Sequence, residues 1–149
     1  MQTLEKPEIA REEMGEVRTA VTLTNATDQA LVRRGTLSQE EVHSYKADAL
    51  VDTGAVRTVL PSHVVQQLGL AIVENQAVEY ADGRNEVVGL TEAIDIKIDG
   101  RRTFDEALVL GDEVIIGQTV LEKLDLLVDC KTRRLVPNPA HPDQPVSKV

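Results

Sequence analysis

The stretch ALVDTGAVRTVL, residues 49–60, sets an acid, a hydroxyl and a glycine in a row between two aliphatic runs. An unpaired carboxylate at the end of an apolar strand is costly to keep. Asp52 is therefore either an ordinary turn residue or an acid placed for chemistry. The chemistry open to it is proton transfer with water, one carboxylate taking a proton while a second acid gives one. Two carboxyls roughly 3 Å apart can do this on one shared proton, because like charges that close cannot both ionise. The chain holds one Asp-Thr-Gly and no second Asp-Thr-Gly or Asp-Ser-Gly. Composition alone would give that tripeptide in roughly a few of every hundred chains of this length, so its context must carry the weight. An apolar strand precedes it, Ala55 follows it, and "TVLP" leads from it toward a helix.

Other chemistries find little support. His43, His63 and His141 have no metal-ligand spacing, and neither HExxH nor a cysteine pair is present, so neither metal nor cofactor is expected. Cys130 is alone and reads as a small buried hydrophobe after "LLVD"; without an internal disulfide the chain fits a reducing compartment. The net charge of −9 repels phosphate backbones and anionic lipid, so nucleic acid and membrane are poor partners. No apolar run approaches the roughly 20 residues that span a bilayer. The N-terminus lacks an apolar h-region, so no signal peptide is read and a cytoplasmic location is expected. "NAT" at 25–27 is formally a glycosylation sequon that a cytosolic chain does not use.

The elements that must hold Asp52 follow from patterning. The 149 residues are 42% apolar with three aromatics, Tyr45, Tyr80 and Phe104, so one core built from Val, Leu, Ile and Ala is expected. Residues 1–14 read as a flexible extension, 15–137 as the domain and 138–149 as a proline-rich disordered tail. Strands are expected at 16–25 and 42–51, with loop or irregular hairpin between them. "LPSHVVQQLGL" reads as a helix from Pro61 and Ser62 to Gly69, with Val64, Val65 and Leu68 on its buried face. Asp82-Gly83 and Asp99-Gly100 mark hairpins. Thr119-x-x-Glu122 has capping-box spacing for a second helix, and "RRLVP" closes as a strand. About seven short strands and two short helices at such spacing predict an all-β fold, a barrel or sandwich rather than a parallel sheet.

In this order, "ALVDTGA", "VEYADGRNEVV", "VIIGQTVLEKL" and "LLVDCKTRRLVP" resemble the retropepsin-like aspartic proteases, particularly their bacterial single-domain members. The resemblance runs from Gly15 to Pro137. It implies a small closed or partly closed β-barrel of the acid-protease type with one or two short helices. It implies an aspartic endopeptidase acting on peptides or proteins, with Asp52 as catalytic acid/base. Because the chain has a single motif, the second Asp52 must come from a second copy across a two-fold axis, so a homodimer is required. The resemblance further implies that Thr53 bonds across the dimer, that Gly54 packs tightly and offers its amide to the carboxylate, and that Ala55 lines the cleft. Gly117, after Ile115 and Ile116, resembles the glycine packed behind the active loop. Tyr80, Ala81, Asp82, Gly83 and Arg84 match the flap that folds over substrate, with Tyr80 a candidate substrate contact. Val59, Ile115 and Ile116 suggest apolar cleft walls, and Asp129 matches a structural position.

There are departures. Retroviral members carry an acid directly after the alanine and a base after Ile-Gly; here these are Val56 and Gln118, which implies uncharged packing. Asp82 and Arg84 replace the usual glycine-rich flap tip. The competing reading keeps the fold without catalysis, as a peptide-binding or dimerisation module. An intact Asp52-Thr53-Gly54 counts against it.

Overall fold

The computed structural model describes residues 16–149; the expected extension 1–14 and Gly15 lie outside them. Its body is one mixed sheet of nine strands with a small second sheet of two. Third from one end of the large sheet is β1 (Val17–Asn25), whose Val17, Val21 and Leu23 alternate into the core, the period-2 signal of a strand with one buried face. It pairs antiparallel with β2 (Ser44–Val51) on one side and with β6 (Ile94–Ile98) on the other, Val17 opposite Val51 and Leu23 opposite Ile96. β7 (Arg101–Asp105) follows β6 around Asp99-Gly100, both at positive φ.

On the far side of β2 lie β9 (Ile115–Ile116), β3 (Thr58–Leu60), β8 (Ala107–Val109), β5 (Asn85–Thr91) and β4 (Ile72–Glu79), in that order. Most ladders are antiparallel, but β2–β9 and β3–β8 run parallel. β10 (Leu126–Asp129) and β11 (Arg134–Pro137) form the second sheet. Ile94, Ile96, Ile98, Leu60, Leu68, Ile116 and Leu124 are fully buried in one core. The molecule is mostly β, with more strands than the seven expected.

The sheet does not close. β4 and β7 are its two free ends, so the expected all-β class stands while the closed form of the closed or partly closed barrel is not reached. β5 meets β8 at the single pair Leu90 and Leu108. Beyond that point one face of the β4–β5 hairpin, with Asn75, Ala77, Glu79 and Val87, is exposed, while Gln76, Val78 and Val88 on the other are half-buried or buried, so the hairpin is not a barrel wall covered on both sides. At the other end, Lys123 Nζ donates to the Phe104 carbonyl oxygen (2.9 Å), covering part of the β7 edge.

Among the described residues there are three α-helices, where two were expected, and one short 3-10 turn at Gln39–Glu41. Residues 26–33, expected as loop, form α1 (Ala26–Arg33), capped by the Asn25 side chain accepting from Asp28 N–H (3.0 Å). α1 buries none of its residues, so it carries no apolar stripe for a sequence reading to detect. Asn25 itself is 2% exposed and donates through Nδ2 to the Leu68 carbonyl (2.9 Å). The amide of the "NAT" sequon is therefore engaged in the core. α2 (Ser62–Gln67) follows the expected helix at 61–69, with Gly69 at positive φ past its end. α3 (Gln118–Leu124) begins two residues earlier than its capping-box spacing implied, with Gly117 rather than Thr119 as N-cap. No helix among the described residues is long and apolar enough to cross a membrane. Cys130, expected buried, is exposed, because it stands at the turn between β10 and β11.

Residues 138–146 hydrogen-bond back to the domain at Asp125. The Asp125 carboxylate accepts from Asn138 Nδ2 (3.0 Å), His141 Nδ1 (2.6 Å) and Val146 N–H (3.1 Å). Arg101, 7% exposed, joins the same cluster by donating to the carbonyls of Leu124, Asp125 and His141.

Candidate active site

Asp52 follows β2 directly, and residues 53–57 connect it to β3. Both strands pair with β9, β2 in parallel through Leu50–Ile115 and Val51–Ile116, β3 antiparallel through Val59–Ile115. The connecting loop must therefore cross the end of β9, where Gly117 comes next in sequence. A β-carbon on Gly117 would lie 2.5 Å from the Ala55 carbonyl oxygen and 3.1 Å from that of Arg57. The glycine at 117 thus follows from close approach, and its φ of −100° places no demand of its own.

Backbone bonds fix the loop. Asp52 N–H donates to Ile116 O (2.9 Å) and Ala55 N–H to Asp52 O (3.1 Å). The first amides of α3, which lack partners inside their own helix, turn outward to the loop: Gln118 N–H donates to Ala55 O (2.8 Å) and Thr119 N–H to Val56 O (3.4 Å). This replaces the side-chain cap that Thr119 and Glu122 suggested. Gly54 N–H donates to Asp52 Oδ1 (2.9 Å), a charge-assisted bond that orients the carboxylate. A β-carbon at Gly54 would sit 3.2 Å from that oxygen.

Asp52 is exposed and opens onto a cleft of about 600 Å³. One wall is the loop and β3, through Gly54, Ala55, Val56, Arg57 and Val59; Leu108 and Leu110 extend the floor. The other wall is the β4–β5 hairpin, through residues 76–81. Of the sequence candidates, Asp52, Gly54, Ala55, Val59, Tyr80 and Ala81 share this cleft. Asp82, Gly83 and Arg84 form the hairpin tip beyond its lining. Thr53 faces a second hollow of about 250 Å³ on the other side of the loop, which Asp52 also borders together with Val17, Val51 and Val128. Ile115 and Ile116 lie behind the loop; Ile116 is fully buried in the core. Among the described residues no His, Cys, Asp and Glu cluster could hold a metal.

The hairpin tip is tied together by its own side chains. Tyr80 N–H donates to Arg84 O (2.8 Å) and Gly83 N–H to Tyr80 O (2.9 Å). Asp82 accepts from Arg84 N–H (3.0 Å) and from its Nε (2.7 Å), bonds that lower its pKa below the ordinary carboxylate value. The Arg84 guanidinium lies 4.8 Å from the centre of the Tyr80 ring. The Tyr80 hydroxyl donates to Glu86, which raises the phenol's pKa.

Sequence reading missed Arg57, Gln76, Val78 and Glu79, which also face the cleft. Alternation gave a signal: Arg57 and Val59 are two apart on the strand leaving the loop. It also missed Asp105, 8% exposed, whose Oδ2 accepts from the hydroxyl (2.7 Å) and the amide (3.2 Å) of buried Thr58. This pair anchors β3 beside Arg57.

The chain matches the family described as "gag-polyprotein putative aspartyl protease" over residues 38–123. The chain belongs to this family of retropepsin-like aspartyl proteases. The matched segment runs from before β2 to α3, and so contains the Asp52 loop, the hairpin and Gly117. The solution structure of Simian Foamy Virus (mac) protease is similar at 15% identity, covering 70% of this chain and 90% of that one, with a TM-score of 0.44. No curated protein matches the chain.

Proposed function

We propose that this family member is an endopeptidase that acts as a homodimer, hydrolysing a peptide bond with a water held between two Asp52 carboxylates, one from each chain. The observation that carries the reading is the Asp52 carboxylate itself, exposed on a cleft open to a peptide, with Oδ1 held by Gly54 N–H. One such carboxylate cannot both take and give a proton in the same step. Two in contact share a proton, so the ionised member draws a proton from the water as it attacks the carbonyl, and the protonated member donates to the carbonyl oxygen. The same pair then returns a proton to the departing amine.

A partner copy has a surface to meet. Val56 is 69% exposed and Thr53 is exposed, on a loop beside the hollow lined by Val17, Val51 and Val128. The β4–β5 hairpin acts as the flap, closing over the peptide and excluding water. The test is digestion of a diverse peptide mixture from mild acid to neutral pH, read by mass spectrometry, with Asp52→Asn alongside. Cuts by the wild type alone support the reading. Cuts by pure Asp52→Asn would overturn the assignment of Asp52. Sedimentation showing an active monomer would remove the two-chain mechanism, and a dimer that cuts nothing would favour a binding module.

A further inference from the structure

We infer that Arg57 makes the cleft selective for a peptide bearing an acidic side chain beside the scissile bond. The inference rests on the proposed use of the cleft for peptides and adds a substrate class to it. The charged groups lining the cleft are Asp52, Arg57 and Glu79, so Arg57 is the only cation among the described lining residues. Its backbone is held on both sides. Val56 O accepts from Thr119 N–H, and Thr58 is bound through amide and hydroxyl to Asp105. The side chain thus starts from a fixed point on the wall.

Its own partner is weak. Among the described residues the guanidinium meets one carboxylate, Glu106 Oε1, through Nη1 at 3.4 Å, with side-chain exposures of 36% and 51%. A guanidinium has five N–H donors in a planar fork suited to a carboxylate, and this contact uses one. Exposed ion pairs of this length contribute little, so a substrate carboxylate can add to Glu106 or displace it. The surrounding wall, with Val56, Val59 and Leu108, takes aliphatic neighbours. In the dimer each half of the cleft carries its own Arg57, so an acid is recognised on either side of the cut bond at equivalent positions.

The test uses an apolar peptide cut by the wild type, in which each position flanking the cut is made Glu, Gln or Lys in turn. At one position per side, kcat/KM should favour Glu over Gln by about five-fold, the size of a partly exposed charged bond. Arg57→Glu should invert the order, so that Lys exceeds Glu at that position. Glu106→Gln should widen the wild-type preference. These are ratios within one variant, so a general loss of folded protein does not alter them. Binding of the same fluorescent peptides to full-length Asp52→Asn gives the ratio without cleavage. Cleavage with equal rates for Glu and Gln, or a preference that survives Arg57→Glu, overturns the inference and leaves the protease reading intact. Selective binding by Asp52→Asn with no cleavage by the wild type supports the inference while sinking catalysis. Absence of both cleavage and binding overturns both.

Discussion

Gly117 and Ala55 touch so closely that a single added carbon cannot fit: a β-carbon at 117 would lie 2.5 Å from the Ala55 carbonyl oxygen. That oxygen also accepts Gln118 N–H at 2.8 Å, so the carbonyl cannot rotate away without losing the first bond of α3 to the loop. The contact sets the height of the loop above β9, and with it the position of Asp52.

Gly117→Ala should therefore push the 53–57 loop outward. Overpacking of this kind costs about 1–3 kcal/mol, to be read as a drop in urea midpoint. Under the proposed mechanism activity falls further than stability, because displaced carboxylates no longer meet. A variant with unchanged midpoint and full activity would show that the loop is free to move.

Thr58→Val tests the buried bond behind the cleft wall. Thr58 is fully buried, and its hydroxyl donates to Asp105 at 2.7 Å. The isosteric change keeps the shape but leaves a buried carboxylate short of one donor. A loss of about 1–3 kcal/mol is expected, measured by denaturant unfolding. Asp105→Asn with Thr58→Val should lose less than the two single changes summed, since both break one interaction.

Acid should release the segment held at Asp125. Its pKa lies below the ordinary value of 3.8, first through the Asn138 hydrogen bond, then through Val146 and His141. A depressed folded-state pKa gives stability that is present above the ordinary value and is lost as pH falls through the folded one. Asp125→Ala should have a lower Tm than wild type at neutral pH, and the two Tm values should converge in strong acid. Faster exchange of the Val146 amide in the variant would locate the effect. A Tm gap that persists unchanged to the lowest pH would rule out the carboxylate as its source.

Tyr80→Phe removes the bond from the hairpin tip to Glu86 and leaves the ring beneath Arg84. Hydrogen exchange at Gly83, whose amide bonds to Tyr80 O, should quicken while the core amides stay unchanged. If the hairpin closes over substrate, KM should rise more than kcat falls. Unaltered exchange at Gly83 would mean that the backbone bonds alone hold the tip.

Much of this was legible in sequence because it is local. The alternation of Ile94, Ile96 and Ile98, the Asp-Gly turns, the helix ended by Gly69 and the acid ending an apolar strand each depend on residues a few positions apart. Other features depend on what lies across space. α1 has no buried face, so periodicity was silent and only Asn25, Asp28 and Arg33 marked its ends. Thr119 and Glu122 have capping spacing, yet α3 satisfies its first amides on Ala55 and Val56, residues more than sixty positions earlier in the chain. A closed or partly closed barrel was implied by the family resemblance, but closure needs a register between end strands. The β4–β5 hairpin, joined to β8 by one residue pair and largely exposed toward its tip, does not supply it.

The sequence by itself determined the family, the acid at Asp52 and the strands on either side of it, because each is written in contiguous residues. Tertiary structure alone decided that the first amides of α3 bond to Ala55 and Val56, that Asp105 holds Thr58, and that Arg57 shares the cleft with the hairpin. The reason is physical. Those contacts arise when β2 and β3 pair with the same β9, and no local propensity records which strand two others will share.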